Sequence, residues 1–235
     1  RGEGGLRYGL MPFAVGIYEY QMPTMDAELA RLFEDYYREA FGPATGIRPA
    51  LHRVVPVEKS IQVDTEVLPY ERASQMIEAS QAWGVWDCIC RKQRNLLGEG
   101  CDHPVDVCLI LGHRAGMYDG NPVIRALTKE DAYGVLQRAE EAGLVHTVGN
   151  RQEDIDYICN CCTCSCALLR GMKEFGVAAA AAHSDFYCTV DDDTCVGCEL
   201  CLDRCQFGAL SMADGLCHVD LAQCFGCGLC ASACP

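Results

Sequence analysis

Two sets of four cysteines stand near the end of the chain, and the second repeats the first at a constant displacement of 29 positions. Cys195, Cys198, Cys201 and Cys205 follow C-x2-C-x2-C-x3-C; Cys224, Cys227, Cys230 and Cys234 reproduce that spacing, with Pro235 directly after. A duplication of this kind requires two equivalent supersecondary units. Three thiolates from one tight loop reach one face of a four-iron cubane, while its fourth corner needs a ligand from elsewhere. Gly197, Gly226 and Gly228 let the backbone come close enough for loop N–H groups to bond cluster sulfides. Zinc modules, the alternative, rarely combine three evenly spaced cysteines, a distant fourth and a duplication.

Over residues 185 to 235 these motifs resemble the bacterial-type two-cluster 4Fe-4S ferredoxins. The resemblance implies that the fourth ligands are exchanged between halves. One 4Fe-4S cluster would be held by Cys195, Cys198, Cys201 and Cys234, and the other by Cys224, Cys227, Cys230 and Cys205. Gln206 departs from the pattern, replacing the proline that usually follows the fourth cysteine of the first half, and the segment that normally continues past the second motif is not present after Pro235. The same stretch carries eight acidic residues against Arg204 alone. Negative surroundings lower a cluster's reduction potential and steer the module toward a redox partner with a basic docking face.

With 235 residues, half of them hydrophobic, the chain can bury a large core as one domain or two. Its 19 cysteines, at short repetitive spacings, read as metal ligands in a reducing compartment. A formal net charge of −14 argues against nucleic acid as a partner. No apolar stretch approaches the roughly 20 residues of a membrane span. The chain opens RGEGGLRYG, without an initiator Met or a signal-peptide pattern, so a true start upstream and a cytoplasmic, oxygen-poor setting are the expectations.

Nine further cysteines fall in the front part: Cys88, Cys90, Cys101 and Cys108, then Cys159, Cys161, Cys162, Cys164 and Cys166 in the run ICNCCTCSC. Neighbouring cysteines make poor disulfide partners. On a regular strand alternate side chains point to opposite faces, so Cys162, Cys164 and Cys166 cannot all share one site with Cys161. Either the backbone turns sharply there or the run serves two sites. Nine thiols suffice for one or two further iron-sulfur clusters; zinc, and then redox-active thiols, are the alternatives. His103 and His146 are candidate ligands, each also readable as a hydrogen-bond donor or core residue. Arg91, Lys92 and Arg94, in what reads as a basic, Gly-containing loop between Cys90 and Cys101, would compensate cluster charge or else lie on the surface. Cys188 and Cys217 read as packing residues.

Hydrophobic spacing predicts a helix over 24 to 41, with Met25, Leu29, Leu32, Phe33, Tyr36, Tyr37 and Ala40 inward, ended by Gly42-Pro43. Alternation predicts a strand over 61 to 67, followed by a helix over 70 to 82 that stops at Gly84. Thr128 and Asp131 form a capping box for a helix with Ala132, Val135, Leu136 and Ala139 inward. LVHTVGN and IDYICN read as two strands joined by RQED, ALLRGMKEFG as a short helix, and VAAAAA as a packing element or linker.

The pattern CICR, GCDHPVDVCL, capped helix, GLVHTVGN and ICNCC is similar to the front domain of a group of ferredoxin-fused 4Fe-4S-binding proteins that has no settled reaction. That likeness covers 1 to 180 and implies that the front cysteines work with the ferredoxin-like module. The fold expected is α+β: a cysteine-rich front domain of short helices and small sheets over 1 to 180, then the dicluster module of two βαβ-derived halves over 185 to 235. The function expected is a polyferredoxin-like relay passing low-potential single electrons to or from a partner oxidoreductase. The alternatives are a reductase acting on a small molecule at a front cluster, and an iron-sulfur sensor in which the helix from 128 and the next two strands form a winged helix. No P-loop, dinucleotide fingerprint or Ser-His-Asp pattern can be placed.

Overall fold

Asp26 accepts the Leu29 N–H at 2.9 Å and so opens α1 (Ala27–Tyr36); helical structure continues through Tyr37–Phe41 into α2 (Gly42–Ala44). The helical run ends at Ala44, one residue past the expected stop at Gly42-Pro43. Ala30, Phe33 and Tyr37 face inward, whereas Leu32 and Tyr36 are 59% and 44% exposed. The computed structural model describes residues 10, 12–61, 72–177 and 180–235. The strand expected over 61 to 67 lies, beyond Ile61, outside the described residues, as does the start of the helix expected over 70 to 82.

The fold is α+β. Seven strands form one sheet: β1 (His52–Val55), β2 (Ala82–Trp86), β3 (Cys108–Gly112), β4 (Arg125–Leu127), β5 (Val145–Gly149), β6 (Tyr157–Cys161) and β7 (Ala181–Ala182). Their order is β4-β2-β3-β6-β5-β1-β7, antiparallel throughout except for β1 with β7. The front part therefore holds one large mixed sheet where small sheets were expected. The alanine-rich segment supplies β7, so it packs rather than links. Gly84, expected to stop a helix, lies in mid-strand, where an added Cβ would strike Ile124.

One sheet face is covered by α3 (Ala73–Ala79) and α5 (Lys129–Glu141), around Val85, Leu109, Leu111, Ile158 and the inward residues of α5. The capping box is present, with Asp131 N–H bonded to Thr128 Oγ1 at 3.1 Å. β5 and β6 pair as expected, but they lie inside the sheet between β1 and β3, so neither projects as a wing.

The other face carries Trp86, Cys108, Cys159 and Cys161, with α1, α4 (Ile89–Leu96) and α6 (Leu169–Glu174) packed toward it. α4 replaces the loop expected after Cys90. Its polar residues are good helix formers, and Gly98 with φ of +73° takes the chain out of it. A buried ion network fastens these helices together. Arg170 reaches Glu34 through both terminal nitrogens, at 2.8 and 3.1 Å, and Arg94 and Gln93 bond the same carboxylate at 3.2 Å. Burial opposes ionisation of Glu34, yet the Arg170 hydrogen bonds hold its pKa at about 2.

After residue 185 the chain forms α7 (Leu200–Arg204), the hairpin β8 (Leu210–Ala213) with β9 (Leu216–Val219), and α8 (Leu229–Ala233). The duplication is visible in the backbone. Gly197 and Gly226 have φ of 64° and 67°, Glu199 and Gly228 have 64° and 75°, and each pair precedes an equivalent helix.

Candidate metal centres

The nine front cysteines divide six and three. β2 runs into Cys88, which stands at the start of α4, with Cys90 in its first turn. The antiparallel pairing of β3 with β6 brings Cys108 opposite Cys159. Cys161 lies two residues on, on the same face, and Cys166 follows after a turn just before α6. Their thiols are mutual neighbours around a ring, in the order Cys88, Cys90, Cys166, Cys161, Cys159, Cys108 and back to Cys88. Cys88 is held well below the ordinary thiol value by Cys108 and then Cys90, and Cys166 by Cys161 and then Cys90.

All six line a cavity of about 950 Å³, whose wall also includes Phe13, Tyr18, Glu19 and Phe41. Most of the wall is apolar. Glu19 is a half-buried acid in its wall: desolvation lifts the carboxyl to about 7 against the Gly16 N–H bonded to it at 2.7 Å. Tyr157 meets His52 Nε2 at 3.0 Å, His52 Nδ1 meets Thr147 Oγ1 at 3.3 Å, and Thr147 Oγ1 meets Cys161 Sγ at 3.4 Å. Burial lowers His52 to about 4, so it is neutral near pH 7.

The remaining front cysteines gather on the opposite side of the run. Cys101, His103, Cys162 and Cys164 place their donor atoms all within 4.8 Å of one another, an arrangement that could hold a metal. Among the described residues neither the ring nor the module cysteines form so tight a group. Cys101 and Cys162 are 3.9 Å apart, and Ser165 Oγ lies 3.3 Å from Cys101 Sγ. Cys162 is lowered to about 5, first by its bond with Cys164 and, against burial, by Arg91. The other candidate histidine, His146, belongs to neither group; it faces away from the ring and bonds Asn160 at 2.5 Å.

Arg91 lies between the two groups. It is 1% exposed, bonds Pro104 O at 2.8 Å and Asn160 O at 2.7 Å, and feels Cys88, Cys108 and Cys161 on one side and Cys162 on the other. The surface reading of this arginine is therefore corrected. Arg94 is also buried, in the ion network, and Lys92 bonds Met22 O at 2.7 Å.

In the module, Cys227 is raised to about 12, by burial first and then by Cys230, Cys205 and Cys224. Backbone N–H groups point at the sulfurs: Ala209 to Cys205 at 3.4 Å and Cys188 to Cys224 at 3.5 Å. A Cβ at Gly197 would strike the Gly215 carbonyl, and one at Gly226 the Phe186 carbonyl. Cys217 packs in β9, 3.6 Å from Cys201.

The module is fixed to the front part at several points. Gln206 accepts the Thr163 N–H at 2.8 Å and donates to Gly143 O, while Arg204 donates to Glu141 O at 2.7 Å and Glu140 O at 2.8 Å. Val57 N–H donates to Cys227 O at 2.9 Å. Cys161, Cys166 and Cys227 belong to one buried cluster with Val54, Leu169, Phe225 and Leu229. The residue at 206 was noted in the sequence only as a missing proline; its docking role has no local signal.

Comparison with family models, with curated proteins and with solved structures yields no match. Among the described residues no helix is long and apolar enough to cross a membrane.

Proposed function

We propose that this chain is an iron-sulfur electron-transfer protein whose path runs from an exposed outer centre, through a second centre in the module, to the six-cysteine ring. The outer centre would be held by Cys195, Cys198, Cys201 and Cys234, the next by Cys224, Cys227, Cys230 and Cys205, and the inner one by ring cysteines. Iron-sulfur clusters in such thiolate sets accept and release single electrons. The donor set supports this: three thiols around Cys227, backbone N–H groups aimed at ligand sulfurs, and a glycine cradle that a Cβ would fill.

The carrying observation is that Cys227 shares one buried cluster with Cys161 and Cys166. Cys198 and Cys234 are exposed, at the end open to a partner. The acidic residues around the module favour a basic docking face. They also disfavour added negative charge there, whereas the buried Arg91 cation favours it at the ring. Electrons therefore pass inward downhill. Reductive titration under anaerobic conditions tests the reading: more than two electrons taken up per chain supports it, and two or fewer removes the ring from the path.

A second reading, a reductase of a small, largely apolar molecule, is favoured by the cavity that all six ring cysteines line, with the half-buried Glu19 in its wall. Carbon monoxide added to reduced protein separates the two: a changed inner-centre EPR signal supports a reactive iron facing the cavity, and an unchanged one supports the relay alone.

A further inference from the structure

We propose that Cys101, His103, Cys162 and Cys164 bind a single zinc ion that is separate from the electron path and fixes the turn on which the module docks. Zinc at a structural site takes four Cys and His ligands tetrahedrally. With Zn–S of about 2.3 Å, two thiolates on one ion stand about 3.8 Å apart. Cys101 and Cys162 are 3.9 Å apart, and all four donors lie within 4.8 Å. In a cubane each thiolate binds a different iron, so its ligands must spread around a four-iron core. This group is too tight for that, and among the described residues neither the ring nor the module cysteines form so tight a group.

The surroundings complete the site. Three thiolates, a neutral histidine and Zn²⁺ leave one negative charge, which the buried Arg91 guanidinium near Cys162 offsets. Ser165, itself 1% exposed, meets Cys101 Sγ at 3.3 Å and donates to Cys164 Sγ at 3.9 Å, orienting both ligands. Three cysteines and a histidine fill a tetrahedron, so no position is left for substrate. The ion would tie the segment before β3 to the turn after β6. That turn carries Thr163, whose N–H meets Gln206 of the module, and it returns the chain so that Cys166 rejoins Cys161 at the ring.

The test is metal analysis of anaerobically purified, EDTA-washed protein, with zinc-edge X-ray absorption. About one zinc per chain is expected, with three sulfurs near 2.3 Å and one nitrogen near 2.0 Å. Cys164→Ser, at the exposed ligand, and His103→Ala should each lose that zinc and keep the wild-type iron. His103→Cys should retain it with a four-sulfur shell. Absence of zinc from the wild type, zinc unchanged in both Cys164→Ser and His103→Ala, or loss of iron with sulfide in place of zinc would overturn the proposal. One iron without sulfide at this site would overturn the choice of metal.

Discussion

Cys161 and Cys162 are adjacent in sequence and fall in different groups: Cys161 neighbours Cys159 and Cys166 in the ring, while Cys162 lies with Cys101, His103 and Cys164. β6 ends at Cys161, so the strand supplies one thiol to each side and the turn that follows sorts the rest. Serine substitutions should therefore dissociate the two metals. Cys161→Ser is expected to lower iron and leave zinc in place, and Cys162→Ser to do the reverse; parallel iron and zinc assays on the two variants read this directly.

Arg91 should set the inner centre's potential. A buried cation about 6 Å from the charge, at an effective dielectric near 20, is worth on the order of 100 mV. Arg91→Gln should lower the ring centre's midpoint by that order and leave the module centres unmoved. An EPR-monitored redox titration checks this, and equal shifts at all centres would point to a global effect.

Gln206 and Arg204 should hold the module in place. Gln206→Pro, which supplies the residue the ferredoxin pattern leads one to expect, removes the bonds to Thr163 and Gly143. A loss of about 1–3 kcal/mol is expected, read as a lower urea midpoint. Faster amide exchange at Thr163 would accompany it, with the metal content unchanged.

The Glu34 network should carry stability that acid removes. The carboxyl is depressed from 4.5 to about 2 in the fold, so its contribution is present above about 4.5 and is lost as pH falls through about 2. Glu34→Ala leaves Arg170 and Arg94 buried without their shared acceptor, at a cost of about 3–5 kcal/mol. The thermal-unfolding difference between wild type and Glu34→Gln should shrink as pH is lowered from about 5 toward the folded value.

Legibility from the sequence followed the range of the signal. The capping box at Thr128 and Asp131, the strands β5 and β6, and the helix after Cys166 are written in local spacing and turn chemistry, and the structure has them all. The alternation rule also indicated that the run either turns sharply or serves two sites; the chain does turn after Cys161, and the thiols of the run divide between two groups. Long-range pairing has no such mark. Cys101 lies between Cys90 and Cys108 in sequence yet leaves them for the other group, because the chain passes through α4 and back before β3. For Arg91 the sequence left charge compensation and a surface position open, and only the thiols around it in the fold decide between them. Leu32 and Tyr36 fit a helical stripe but sit at its solvent edge.

The measurement that bears most directly on the relay is iron and acid-labile sulfide per chain in anaerobically purified protein. With two four-iron centres in the module and an iron-sulfur centre in the ring, the account predicts about twelve or more irons with matching sulfide. About eight irons would contradict it, leaving Cys88, Cys90, Cys108, Cys159, Cys161 and Cys166 outside the electron path.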